Sequence, residues 1–409
     1  MTKSIRSVRS DADGSLVLRH QDDVEERIRA ICFKTGPPTT IGAELEWTLH
    51  HTAAPGAPLT PEAVRRGLGP HTPQSLTPDS PELSLPGGGR VTLEPGGQVE
   101  ISSAPASSLT GLHTAVETDL GHLTRLLAEA GLSLGEHGLD PHREPRRLLR
   151  TPRYDAMESI FDTRGPHGRQ MMCSTAGLQV CLDAGPAGEV ATRWAAVNAL
   201  GPPLLAAFAT SGAPGWASGR MATWWGMDPR LTHPVLGPAD DPAAGWVRYA
   251  LTAPVVAVRR DDGNWSAPAG LTLCDWVTGA WSPGPTVADL DYHLSTLFPP
   301  VRPRGYLEVR YLDAQPARDW FAPVAVMAAL FAQPAVTDAV LDLAAPTADR
   351  WVEASRAGLA DPELRRVATA VLDLACRHLD RTGLPPGLRN LVTDTVHRRL
   401  RDAGQAQEQ

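Results

Sequence analysis

Alternation of apolar and polar residues at a period of two marks the first strong elements of this chain. In Ala43-Glu44-Leu45-Glu46-Trp47 both glutamates fall on one face of a strand predicted over 40–49, with Ala43, Leu45 and Trp47 on the other. The split recurs in strands predicted at 90–94 and 98–103, where Gln98 and Glu100 oppose Val99 and Ile101. It recurs at 178–182, where Gln179 and Cys181, continued by Asp183, oppose Leu178, Val180 and Leu182. At 306–311, Tyr306, Glu308 and Arg310 oppose Leu307 and Val309. Helical spacing appears at 22–33, with Val24, Ile28, Ile31 and Cys32 on one side, and over 109–130. A long helix over 189–211 should kink or break at Gly201-Pro202-Pro203. From about 320 onward the pattern predicts helices at 320–332, 335–344, 347–358, 361–379 and 385–403.

Between these elements lie 51–88, rich in Pro and Gly with a short helix near 61–66, the arginine-rich 135–170, and the Trp- and Pro-rich 212–245; all three are expected to be largely loop. There is no internal repeat and no regular βαβ spacing. The expectation is an α+β fold with a curved, largely antiparallel sheet whose polar concave face encloses a site, flanked by helices. One domain is expected over 1–409, with a core at about 20–345, a helical C-terminal region at about 346–403, loosely held residues 1–19 and a frayed tail at 404–409.

Composition narrows the chemistry. The 409 residues carry 38 Lys+Arg against 46 Asp+Glu, a net charge of −8, which argues against a nucleic-acid binder. Only Lys3 and Lys34 are lysines; every other basic residue is arginine. A P-loop needs Gly-Lys-Ser/Thr and a Schiff-base enzyme needs a pocket lysine, so both are disfavoured. Five scattered cysteines without a C-x-x-C pair point to reduced thiols rather than a disulfide framework. No apolar run reaches the roughly 18–20 residues of a membrane span, and the first residues lack an apolar signal core. A cytoplasmic enzyme-sized protein without membrane or nucleic-acid partners is the expectation.

The polar strand faces carry the chemistry. One solvated sheet face would explain any single strand, but four strands bearing mainly acids and their partners favour convergence. If Glu44, Glu46, Glu100 and Glu308 meet, their repulsion calls for cations. Carboxylate oxygens without sulfur or clustered imidazole favour Mg²⁺, with Mn²⁺ as the alternative, over zinc. Arg310 beside them can fork onto a phosphoryl or carboxylate group. A carboxylate–Mg²⁺ cradle with arginine suits phosphoryl transfer without lysine. A paired-carboxylate glycosidase using Glu44 and Glu46 remains open on spacing alone. H-E-x-x-H, G-x-S-x-G and G-x-G-x-x-G are absent from the sequence, and the histidines, His50-His51 included, read as loop or surface residues.

These segments resemble a known family. Ile41-Gly42-Ala43-Glu44-Leu45-Glu46-Trp47 and Leu93-Glu94-Pro95-Gly96-Gly97-Gln98-Val99-Glu100-Ile101-Ser102 resemble the opening motifs of glutamate–cysteine ligases of the plant and actinobacterial type. Pro152-Arg153-Tyr154-Asp155-Ala156-Met157, Met171 to Val180 and Tyr306-Leu307-Glu308-Val309-Arg310 follow in the family's order. The resemblance spans about 40–345 and is nearest to the actinobacterial branch, which includes the ligase supplying γ-glutamylcysteine for ergothioneine synthesis. It implies a glutamine-synthetase-like catalytic fold and ATP-dependent joining of glutamate to cysteine, with ATP as co-substrate. By matching motif it implies Glu44, Glu46, Glu100 and Glu308 as Mg²⁺ ligands. Glu94 is a further ligand or the pin of the Pro-Gly-Gly turn, and Gln179 a metal-facing polar residue. Arg310, Glu308 and Glu100 would be catalytic. Arg220 would meet a substrate carboxylate and Trp224 the pocket wall, with Arg153 and Tyr154 as further substrate contacts. Cys181 stands where the family often has an amide. Two alternatives remain: a ligase of this fold with another amine acceptor, and a non-catalytic scaffold.

Overall fold

The computed structural model describes residues 13–235 and 237–405. Its centre is a six-stranded sheet, antiparallel at every pairing. In chain order the strands are β1 (Ile41–Trp47), β2 (Leu49–His51), β3 (Arg90–Leu93), β4 (Val99–Ser102), β5 (Leu132–Leu134), β6 (Gly177–Leu182), β7 (Val301–Pro303) and β8 (Leu307–Asp313). The sheet order is β3-β4-β1-β6-β8-β7, and β2 pairs separately with β5. The α+β class and the antiparallel sheet match the alternation in the sequence. Ala43, Leu45, Trp47, Val99, Ile101, Leu178, Val180, Val309 and Tyr311 are all buried on one face, where they join a single connected apolar core. At about 25 cal/mol per Å² of apolar surface removed from water, this face supplies the drive that fixes the register.

Helices cover that apolar side. The helix Leu109–Glu129 starts at Ser108, whose side chain accepts from the Gly111 N–H, and buries Leu112, Val116, Leu120 and Leu123. The expected break after residue 200 is real: Val190–Ala199 and Gly201–Phe208 are separate helices, the second with proline in its first turn. Beyond it come Phe321–Leu330, Pro334–Ala344, Trp351–Ala357, Pro362–His378 and Pro386–Gln405. Among the described residues no single helix is long and apolar enough to cross a membrane; the one bent pair that passes by composition, Phe321–Leu330 with Pro334–Thr347, includes a first helix buried almost throughout.

Three expectations need correction. The stretches 135–170 and 212–245 are not simply loop: they hold the helices Pro152–Asp162, His167–Ser174, Gly219–Trp225 and Pro229–Thr232 and the start of Pro242–Thr252. Each of these except His167–Ser174 begins at a Ser, Thr or Asp whose side chain accepts a backbone N–H, and prolines occupy the first turn of three of them. Those prolines, read as loop markers, are helix starts. Second, residues 16–18 are tied down: Val17 bridges Thr286, and the Leu18 N–H donates to the Pro285 carbonyl while its side chain is buried. Residues 1–12 lie outside the described residues. Third, the final helix runs to Gln405, so Gly404 and Gln405 are helical; 406–409 lie outside the described residues.

Candidate active site

The opposite face of the sheet carries the acids in cross-strand rows. Thr92, Glu100 and Glu46 are directly opposed across β3, β4 and β1. Arg90, Ser102, Glu44 and Gln179 form a second row across β3, β4, β1 and β6. Gly42, Cys181, Glu308 and Arg302 form a third across β1, β6, β8 and β7. Residues far apart in sequence thus meet because antiparallel register sets them side by side. Glu44, Glu46, Glu94, Glu100, Gln179 and Arg310 line one hollow. The helix Pro152–Asp162 adds Arg153 and Tyr154, and the helix Gly219–Trp225 adds Arg220 and Trp224. Glu308 is fully buried behind the arginines of this wall.

Glu46, Glu94 and Glu100 form the tightest acidic group: one carboxylate oxygen from each lies within 4.8 Å of the others. The hydrogen-bond donors to Glu46 and Glu100 are neutral. Glu46 accepts from the Gly177 N–H at 2.6 Å and the Gln179 amide at 3.0 Å. Glu100 accepts from the hydroxyls of Thr92 at 2.6 Å and Ser102 at 2.9 Å. Glu94 enters from the turn after β3. Its own backbone closes that turn, donating to the Gln98 carbonyl and accepting from Gly97, so it both pins the turn and lines the hollow. Burial first, then repulsion by Glu46 and Glu100, pushes the Glu94 carboxyl up to about 8. Burial with Glu100 and Glu308 pushes Glu44 up to about 7, and burial likewise raises Glu46 and Glu100. Buried like charges held by neutral donors fit a hard divalent cation, which would reverse each of these shifts.

Glu308 differs. Its Oε2 accepts from Arg302 Nε at 2.6 Å and from an Arg310 amino group at 3.1 Å, and its Oε1 accepts from Arg304 at 3.2 Å. Burial alone would raise its carboxyl, but the arginines outweigh burial and hold it at about 2. Arg310 also donates to the Gln179 Oε1, so Gln179 bridges Glu46 and Arg310. Arg220 is buried, donates to the Arg310 carbonyl at 2.9 Å, and lies over the Trp224 ring at 4.7 Å, leaving its Nε without a partner. Arg153 donates twice to Ser295, to the hydroxyl and the carbonyl, each at 3.1 Å. Cys181 is half-buried between Gly42 and Glu308, and burial pushes its thiol well above the ordinary range.

Sequence reading missed Arg302 and Arg304. Pro300 and Pro303 hide β7, which tolerates proline because it is the edge strand. The signal was the alternation Val301-Arg302-Pro303-Arg304 running into Gly305, whose φ of +81° makes the turn to β8. His50, expected at the surface, is buried in β2 against the Thr48 hydroxyl at 2.9 Å.

A sheet wall of buried carboxylates faced by guanidinium groups is a place where cations and anionic groups can be held together. Residues 40–409 match the family model described as Glutamate-cysteine ligase family 2 (GCS2). The glutamate–cysteine ligase EgtA of Mycobacterium tuberculosis is 40% identical over 306 residues, 72% of this chain and 71% of that protein. EgtA of Mycolicibacterium smegmatis is 41% identical over 291 residues, 68% of each. The chloroplastic glutamate–cysteine ligase of Brassica juncea is 33% identical over 324 residues, 73% of this chain and 62% of that protein. The chain belongs to glutamate–cysteine ligase family 2.

Proposed function

We propose that this protein joins the γ-carboxylate of L-glutamate to the amine of L-cysteine with ATP, forming γ-glutamylcysteine through a γ-glutamyl phosphate, as one catalytic unit in the cytoplasm serving ergothioneine biosynthesis. The observation that carries the reading is the single hollow joining the Glu46–Glu94–Glu100 group to arginines on two sides. A carboxylate is a poor acyl donor. Attack of its oxygen on the terminal phosphorus of ATP releases ADP and leaves an acyl phosphate. The amine then attacks the acyl carbon, loses a proton, and phosphate departs.

Two groups of residues in the hollow suit two kinds of anion. Arg304 and Arg310, beside Glu308 with Arg302 locked onto it, present donors to a polyphosphate. From the two helices, Arg220, Trp224, Arg153 and Tyr154 offer fixed cations and apolar walls to an amino-acid substrate. Glu46, Glu94 and Glu100, with Glu44, Glu308 and Gln179 as further candidates, would hold Mg²⁺ or Mn²⁺, which when bound would neutralise charge on the transferred phosphoryl group. Arg310, fixed by Glu308 and Gln179, would face that group during transfer, and Glu100 and Glu308 shape its surroundings. The direct test is ADP release with Mg-ATP and glutamate against a panel of amines. Release that depends on both glutamate and cysteine is expected. Release with a different amine would reassign the acceptor, and release indifferent to glutamate would end the ligase reading.

A further inference from the structure

Glu308 has more cations than one carboxylate can use. Arg302 is buried and locked, donating also to the Leu297 carbonyl at 3.3 Å. Arg310 is held by both Glu308 and Gln179. These two share Oε2, so the other oxygen is met by Arg304. Arg304 is the least enclosed of the three. It comes from the β7–β8 turn, its side chain is 48% exposed against 9% and 12% for Arg302 and Arg310, and its 3.2 Å contact is the longest of the three. Three guanidinium groups around one carboxylate offer more donors than it can accept from, so the most exposed of them is available to a polyanion entering the hollow.

We propose that Arg304 is an exchangeable cation: without nucleotide it occupies Oε1 of Glu308, and on nucleotide binding it moves to the polyphosphate and frees that oxygen for a divalent ion. This inference rests on the ligase reading. It makes occupation of Glu308 by a metal conditional on nucleotide, whereas Glu46, Glu94 and Glu100 are open to an ion at any time. The exchange keeps Arg304 and the Glu308 oxygen it leaves paired at both stages, so neither is left bare.

The test uses the full chain with Arg304→Ala and Arg304→Lys, which change an exposed turn residue and should leave the fold intact, checked by thermal melting. Affinity for a non-hydrolysable ATP analogue with Mg²⁺ is measured by calorimetry, and Mn²⁺ bound without nucleotide by electron paramagnetic resonance. Arg304→Ala should weaken nucleotide binding about tenfold, the loss of one charge-assisted contact. The same variant should bind an additional Mn²⁺ without nucleotide, and Glu308→Gln added to it should abolish that gain. Arg304→Lys should fall between on nucleotide affinity. Unchanged nucleotide affinity, or unchanged or weaker Mn²⁺ binding, in Arg304→Ala overturns the proposal alone. An unaltered protein that binds no ATP analogue overturns the ligase reading and the proposal together.

Discussion

Glu46, Glu94 and Glu100 illustrate a conflict held within three side chains. Each is stabilised by neutral donors or backbone geometry, yet together they place carboxyl groups where burial and repulsion favour the protonated form. Glu94→Gln removes one of these ionisable groups while keeping shape and hydrogen-bonding capacity. It should raise the melting temperature of the metal-free protein near neutral pH, on the order of 2 °C, because folding no longer has to draw a proton onto a buried carboxyl. The stabilisation that Mg²⁺ gives the unaltered chain should largely vanish in the variant, and with it the ligase activity. Thermal melts with and without Mg²⁺ read both effects. A variant that melts lower and still responds fully to Mg²⁺ would mean that Glu94 is a structural turn residue only.

Among the elements, β6 ties the two groups of site residues together. Gly177 at its start donates its N–H to Glu46, and a Cβ there would stand 2.6 Å from the Arg220 guanidinium. Glycine at this position lets Arg220 lie against the strand and reach the Arg310 carbonyl. Gly177→Ala should therefore displace Arg220 with little effect on the core, since the opposite face of β6 is unchanged. The expected result is a rate loss on the order of a hundredfold, with substrate KM raised and the melting temperature nearly retained. Steady-state kinetics beside a melt distinguishes this from general unfolding. The sheet itself was legible in the sequence wherever alternation was clean, as in β1, β4, β6 and β8. It was obscured at β7, where proline occupies an edge strand, and the helices at 152–162 and 219–225 were obscured by the surrounding Pro, Gly and Trp.

For the whole molecule, the perturbed carboxyls make stability depend on pH in opposite senses. Glu44 and Glu94, raised from an ordinary 4.5 to about 7 and about 8, are neutral in both folded and unfolded chains below pH 4.5. Between 4.5 and 8 the folded state keeps protons that the unfolded chain releases, so these groups reduce metal-free stability as pH rises. Glu308, held at about 2, contributes stability above 4.5 that is lost as pH falls toward 2. A cation bound among the raised groups must displace protons. Mg²⁺ affinity should therefore increase from pH 6 to 8, with about one to two protons released per ion. Calorimetry in buffers of different ionisation enthalpy measures that release, and pH-independent affinity would place the ion elsewhere.

The sequence by itself determined which faces of β1, β4, β6 and β8 are polar, because strand periodicity is a local property that an apolar core enforces. It also carried the family motifs and the shortage of lysine that leaves anion binding to arginine. Only the tertiary structure decided which acids share an ion-sized space and which is claimed by arginines. Glu46, Glu94 and Glu100 meet through cross-strand register and a turn, while Glu308, equally acidic in sequence, sits among Arg302, Arg304 and Arg310. The physical reason is that a carboxylate's ionisation depends on what burial places within a few ångströms of it, and those neighbours come from strands far apart along the chain.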